Sequence, residues 1–242
     1  LDGVALDRGA NGVRISTSDG ASVRRATIER VTGVAVSIAG STAPVVDGAS
    51  LRAVGDGIAV TDGPGVLVRG VGVDGAAGVG ASIVSSAAAR IEDCSFVEGS
   101  YGVRVQVADG VTVVGVQATG QRVAGIAVAD SAKTVVANSI VRDSGGHGIL
   151  VERGAPAYVR NNLVADTSDW GIDVDDGAQV AVGSGHVLAF NTVVRCGAAA
   201  GAGGMRLTHS IGEVRDNVLA DDAPIGLRID TPGAIVHHDL VR

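Results

Sequence analysis

The chain has 242 residues, a formal net charge of −7, 46% hydrophobic residues and only 2% aromatics. There is no basic excess to displace counterions from phosphates, which argues against a nucleic-acid partner, and no run of 18 apolar residues free of charge offers a membrane span. The core must come from Val, Ile, Leu and Ala, with the 37 glycines, not the 5 prolines, making the turns.

Two short motifs alternate along the chain. The first is Gly-Φ-x-Φ, with Φ aliphatic. It begins at Gly12, Gly33, Gly57, Gly102, Gly125, Gly148, Gly171, Gly204 and Gly226, with a weaker copy at Gly80. The second is a hexad with apolar ends, at 23–28, 46–51, 68–73, 91–96, 113–118, 136–141, 159–164, 189–194, 214–219 and 235–240. In six repeats the hexad follows the glycine by 11 residues, and the hexads at 136 and 159 are offset by 23. A fixed period of this size is the signature of a repeat architecture.

The apolar runs are short, alternate with period two and are rich in β-branched residues, so they are strands, not helices. Asp-Gly pairs at 19–20, 62–63, 109–110 and 176–177 mark the turn after the first strand, where glycine accepts a positive φ. Strands this short bury a face only by stacking on their copies, and 22–23 residues accommodate three strands per coil. Parallel crossovers are right-handed in the great majority of cases. The expected fold is therefore all-β: one domain over 1–242, a single right-handed parallel β-helix of about ten coils. The pattern Φ-x-(Asn/Asp)-x-x-Φ followed by Gly-Φ-x-Φ resembles the pectin-lyase-like superfamily over the whole chain. The third hexad position, Asp93, Asn138, Asn161, Asn191 and Asp216, is similar to the asparagine ladder that this superfamily carries at one corner.

One coil breaks the rhythm, since Gly171 and Gly204 are 33 residues apart. The extra length predicts a loop insertion over 175–188, and solenoid insertions tend to emerge on the binding face. Cys94 and Cys196 sit four repeats apart, too far for a disulfide, so two free thiols are expected. Neither end shows a cap, which points to a longer chain or to shielding by a partner.

Side chains alternate along strands, so the x positions of Gly-Φ-x-Φ form outward columns. These are bland in early coils (Arg14 and Ser16, Ala35 and Ser37, Ala59 and Thr61). In later coils they turn polar: Arg104 and Gln106, Leu150 and Glu152, Asp173 and Asp175, Arg206 and Thr208. The residue before each glycine reads Tyr101, Ala124, His147, Trp170. The expected patch has Asp173, Asp175, Glu152, His147 and Arg206 as catalytic candidates. Trp170, Tyr101, Arg104, Asp169 and His209 are its substrate-binding candidates, with Trp170 as a partly exposed platform. Paired carboxylates beside His and Arg suit acid–base work on a glycosidic link, and they could also gather Ca²⁺. Gly146-His147-Gly148 with Asp173, Asp175 and Asp176 is similar to the polygalacturonase set, but in reversed order and without its Arg-x-Lys. The Asp-Pro-His-Asp of alginate epimerases is also missing its Pro and His here.

Two classes of function stay open. One is an extracellular, periplasmic or cell-surface domain that binds polysaccharide, with lyase or hydrolase activity an open question. The other is a structural or adhesive spacer, or a tail-fibre-type domain.

Overall fold

In the computed structural model, residues 1–153, 156–177 and 185–242 are described. The bulk of the expected insertion, 178–184, lies outside them. The described residues form strands and turns with no helix. The strands make three parallel sheets of 11, 10 and 10 strands, and each strand pairs with those three places before and after it in the chain. The chain is thus a parallel β-solenoid of about ten coils, each contributing one strand to each sheet.

The sheet built from the Gly-Φ-x-Φ strands, which we call the glycine sheet, has its aliphatic residues inside. Ile149, Val151, Ile172 and Val174 are fully buried. At Gly148 nothing larger fits. A Cβ on Gly148 would lie 2.3 Å from Val164 Cγ1 and 2.5 Å from the Gly171 carbonyl oxygen. The second coil departs from this column. Val13 pairs with Val36, so Ala35, not Gly33, occupies the glycine place, and the outward pair there is Ser37 and Ala39.

The hexad spans the other two sheets and the bend between them. The third hexad position has a left-handed backbone in all ten coils, with φ from +49° at Arg25 to +68° at Gly115. Asn, Asp and Gly recur there because they adopt this conformation at little cost. Two hexads are displaced by one residue from the sequence alignment. Val159 pairs with Leu188 and Val214 with Val236, so the true hexads are 188–193 and 236–241. Phe190, not Asn191, therefore holds the left-handed position.

The buried ladder runs through the fourth hexad position. Asn162 Nδ2 donates to Asn191 Oδ1 at 3.0 Å, Asn191 Nδ2 to Asn217 Oδ1 at 3.0 Å, and Asn217 Nδ2 to Asp239 Oδ1 at 2.8 Å. Each amide also donates to a backbone carbonyl, of Val136, Val159 and Leu188 respectively. On the outer side of the bend, Asn161 Nδ2 donates to Asn138 Oδ1 at 2.8 Å. Of the four Asp-Gly turns, that at 62–63 puts the positive φ on Asp62, not on the glycine. Both cysteines are buried free thiols. Desolvation pushes Cys94 up to about 11 and also raises Cys196, so neither is a reactive thiolate at neutral pH.

Candidate functional site

The glycine sheet aligns the polar outward positions of successive coils. Leu150 pairs with Asp173 and Glu152 with Asp175. Asp173 in turn pairs with Arg206 and Asp175 with Thr208. Neighbouring strands lie about 4.8 Å apart, close enough for a direct ion pair. Arg206 grips Asp173 through both ends of its fork, Nε to Oδ1 at 2.7 Å and Nη2 to Oδ2 at 2.6 Å. This hydrogen bonding raises the Arg206 pKa against the opposing effect of partial burial, so the guanidinium stays charged.

His147, one coil before, completes the cluster. Its Nδ1 lies 3.5 Å from Asp173 Oδ2 and its Nε2 lies 3.5 Å from Asp169 Oδ2. Asp169 caps the next backbone amide, accepting from Trp170 N at 2.9 Å. Five of the expected residues, His147, Asp169, Trp170, Asp173 and Arg206, thus meet in one network.

Two of them differ from expectation in exposure. Trp170 is only 2% exposed. The Arg206 guanidinium lies 5.5 Å from its ring centroid, and a Cβ on Gly203 would come 3.0 Å from its ring. Trp170 is therefore the floor beneath Arg206, not an open platform. Asp173 is 1% exposed. Its outward position is roofed by Arg206 and His147, and both of its oxygens already accept hydrogen bonds. It can orient its neighbours, but it has no free lone pair facing solvent for acid–base work. The accessible groups are His147, whose side chain is 19% exposed, and Asp169 at 41%.

Asp175 and His209 form a second contact, Oδ1 to Nδ1 at 3.0 Å. Burial acts to raise the Asp175 carboxyl. The Gly177 amide and His209, which donate to it, with the nearby charge of Arg206, together hold it below the usual carboxylate range. Glu152 stands beside Asp175 in register. Tyr101 and Arg104 pair with each other, guanidinium to ring centroid 5.3 Å. They sit two coils from His147, since Tyr101 aligns with Ala124 and Ala124 with His147. The structure thus puts the expected residues on one face but in three contacts.

A fully buried pair escaped the sequence reading. His186 Nδ1 accepts from the Ala157 amide at 3.1 Å, which leaves Nε2 to donate to Asp176 Oδ2 at 2.7 Å. Asp176 stands where other coils put a small serine: Ser41 and Ser86 accept a backbone amide from the coil before, as Ser210 does from Asp176 itself. Counted from the glycine place, those serines align with Gly177, one residue beyond Asp176, so the substitution of a buried carboxylate for a serine shows only in the contact of the Asp176 amide with Ser210. Among the described residues, no group of three or more His, Cys, Asp or Glu converges in a way that could hold a metal ion.

Solved structures share this architecture. An alginate lyase from Paenibacillus sp. str. FPU-7 superposes with a TM-score of 0.62 at 16% identity, covering 99% of this chain and 87% of its own. Pectate lyase Pel9A gives a TM-score of 0.70 at 13% identity, covering 97% and 66%. PfbA, a surface adhesin of Streptococcus pneumoniae, gives 0.66 at 14% identity, covering 92% and 63%. At these identities the likeness establishes the fold alone. Among curated proteins none matches this chain in sequence. The family model of NosD, described as "Periplasmic copper-binding protein (NosD)", matches residues 43–223, and the chain belongs to that family.

Proposed function

We propose that the chain is a polysaccharide-binding β-solenoid of the periplasm or cell surface, engaging sugar across the outward face of its glycine sheet. The observation that carries this is the network of His147, Asp169, Asp173 and Arg206 over Trp170, assembled on one face. A buried ion pair adds little to stability compared with well-packed apolar side chains. The Asp173–Arg206 pair is therefore poorly explained by folding and well explained by a polar surface held in fixed geometry. Ala124, Ala127 and Ala129 form a low step between Tyr101 with Arg104 on one side and His147 with Leu150 and Glu152 on the other. That step spans two strand spacings, about 9.6 Å, and no side chain on it is larger than a methyl group. A fold shared with an alginate lyase and a pectate lyase agrees with a saccharide partner.

The geometry favours binding over turnover. Asp173, the best-placed carboxylate, is saturated by Arg206. The same saturation removes the oxygens that a bridging Ca²⁺ would need. The described residues also do not fit copper: both thiols are buried in coils far apart along the chain, Met205 is fully buried, and the histidines do not gather with other donors into a group of three.

The test is titration calorimetry with oligogalacturonate, oligomannuronate and neutral hexasaccharides, alongside absorbance of unsaturated products. Uronate binding that falls at least tenfold in His147→Ala and in Asp169→Asn, both folded by circular dichroism, is expected. A wild-type chain that binds neither uronate oligomer, or variants that bind them equally well, would overturn the reading.

A further inference from the structure

We propose a second saccharide site on a different edge of the solenoid, centred on Phe190 and shaped for a neutral pyranose chain. It goes with the preceding reading in expecting a sugar partner, but it shares none of that reading's residues.

Phe190 occupies the third hexad position, where the backbone is left-handed, with φ +58°. Seven other coils place Gly, Asn or Asp there (Gly48, Gly70, Asp93, Gly115, Asn138, Asn161 and Asp216), with Arg25 and His238 in the remaining two. A bulky side chain is disfavoured in that conformation. Phe190 is also 53% exposed, so it returns little of this cost through burial. Nothing in the solenoid asks for an aromatic ring at this place.

The ring is nonetheless held firmly. The Arg215 guanidinium lies 5.0 Å from its centroid. Arg215 is itself fixed by Glu213 at 3.0 Å and Asp216 at 2.9 Å. Stacked guanidinium on one side leaves the rest of the ring toward solvent. In the same bend column, Asn161 precedes it, and Asp216 and His238 follow in the next two coils. An aromatic face flanked by amide, carboxylate and imidazole matches the two-sided chemistry of a pyranose, whose C–H face packs on a ring while its hydroxyls take hydrogen bonds. Glu213 and Asp216 neutralise Arg215, so this ring carries no spare cation for a uronate, and a neutral sugar is the fitting occupant.

The position supplies its own control, because the two coils before the one that carries Phe190 hold Asn138 and Asn161 there. The experiment titrates wild type, Phe190→Asn, Phe190→Trp and His147→Ala with cellohexaose, xylohexaose, mannohexaose and oligogalacturonate, and records each melting temperature. Phe190→Asn is expected to melt at or above wild type while losing at least tenfold in affinity for a neutral hexasaccharide. Phe190→Trp and His147→Ala retain that affinity. Wild type binding no neutral hexasaccharide, or Phe190→Asn binding it as wild type does, overturns the proposal. Loss of oligogalacturonate binding in His147→Ala alone reports on the glycine-sheet site and leaves the Phe190 result separate.

Discussion

The first coils and the later ones share one backbone but solve the interior differently. At the fourth hexad position the early coils hold Ala26, Ala49, Val71, Cys94 and Val116, all buried. The later coils hold Ser139, Asn162, Asn191, Asn217 and Asp239, joined by hydrogen bonds to one another and to the backbone. The outward column changes over the same stretch, from Ser37 and Ala59 to Asp173 and Arg206. A parallel stack repeats its unpaired backbone groups at the bend in every coil. It can close that corner by apolar packing or by an amide ladder. The ladder gives direction as well as burial, and the polar surface network lies in the coils that carry it.

The largest effect should come from breaking the ladder. Asn191→Ala strands the Asn162 amide and the Val159 carbonyl in a dry interior, at a cost of about 4 kcal/mol. Val71→Ala, its early-coil counterpart, loses only packing, about 2 kcal/mol. Urea denaturation of the two variants reads the difference directly, and equal losses would mean that the ladder is no more than volume.

Arg206→Ala leaves Asp173 buried without its partner and should destabilise by about 3 kcal/mol. Adding Asp173→Asn should recover part of that loss, as a double-mutant cycle would show.

A smaller effect concerns Asp222, whose Oδ1 accepts from the Cys196 amide at 2.8 Å. Its Oδ2 is buried with no hydrogen-bond partner among the described residues. Desolvation raises its pKa from 3.8 to about 6. The folded state therefore holds the proton more tightly than the unfolded one, and stability falls as pH rises from about 4 through 6. Asp222→Asn should gain about 1 kcal/mol at pH 7.5, after allowance for its partial exposure. The gain should vanish below pH 4 in chemical melts.

The smallest effect is expected at the early surface. Arg69 and Asp47 pair at 2.8 Å on an exposed strand. Arg69→Ala should leave the urea midpoint unchanged, since water screens such pairs.

Much of the architecture was legible in the residues. The period, the three strands per coil and the corner at the third hexad position follow from spacing and from the residues that accept a left-handed backbone. The displaced hexads at 188–193 and 236–241 were not. In each, neighbouring apolar residues such as Leu188 and Ala189 fit the pattern equally well, and only pairing with Val159 decides between them. Trp170 was misread for a related reason. Its column is outward, but whether an outward ring is bare depends on Arg206 and Gly203, a coil further on. The Asp176–His186 pair joins two residues within the expected insertion 175–188, so no periodic rule links them.

Sequence alone determined that this chain winds into stacked short strands, because a side-chain alternation of two and a repeat near 23 leave a parallel stack as the way to bury its Val and Ile. Tertiary structure alone decided which polar groups became partners. Hydrogen bonds and ion pairs across coils depend on register to a single residue and on the reach of each side chain, and neither is written in any one repeat.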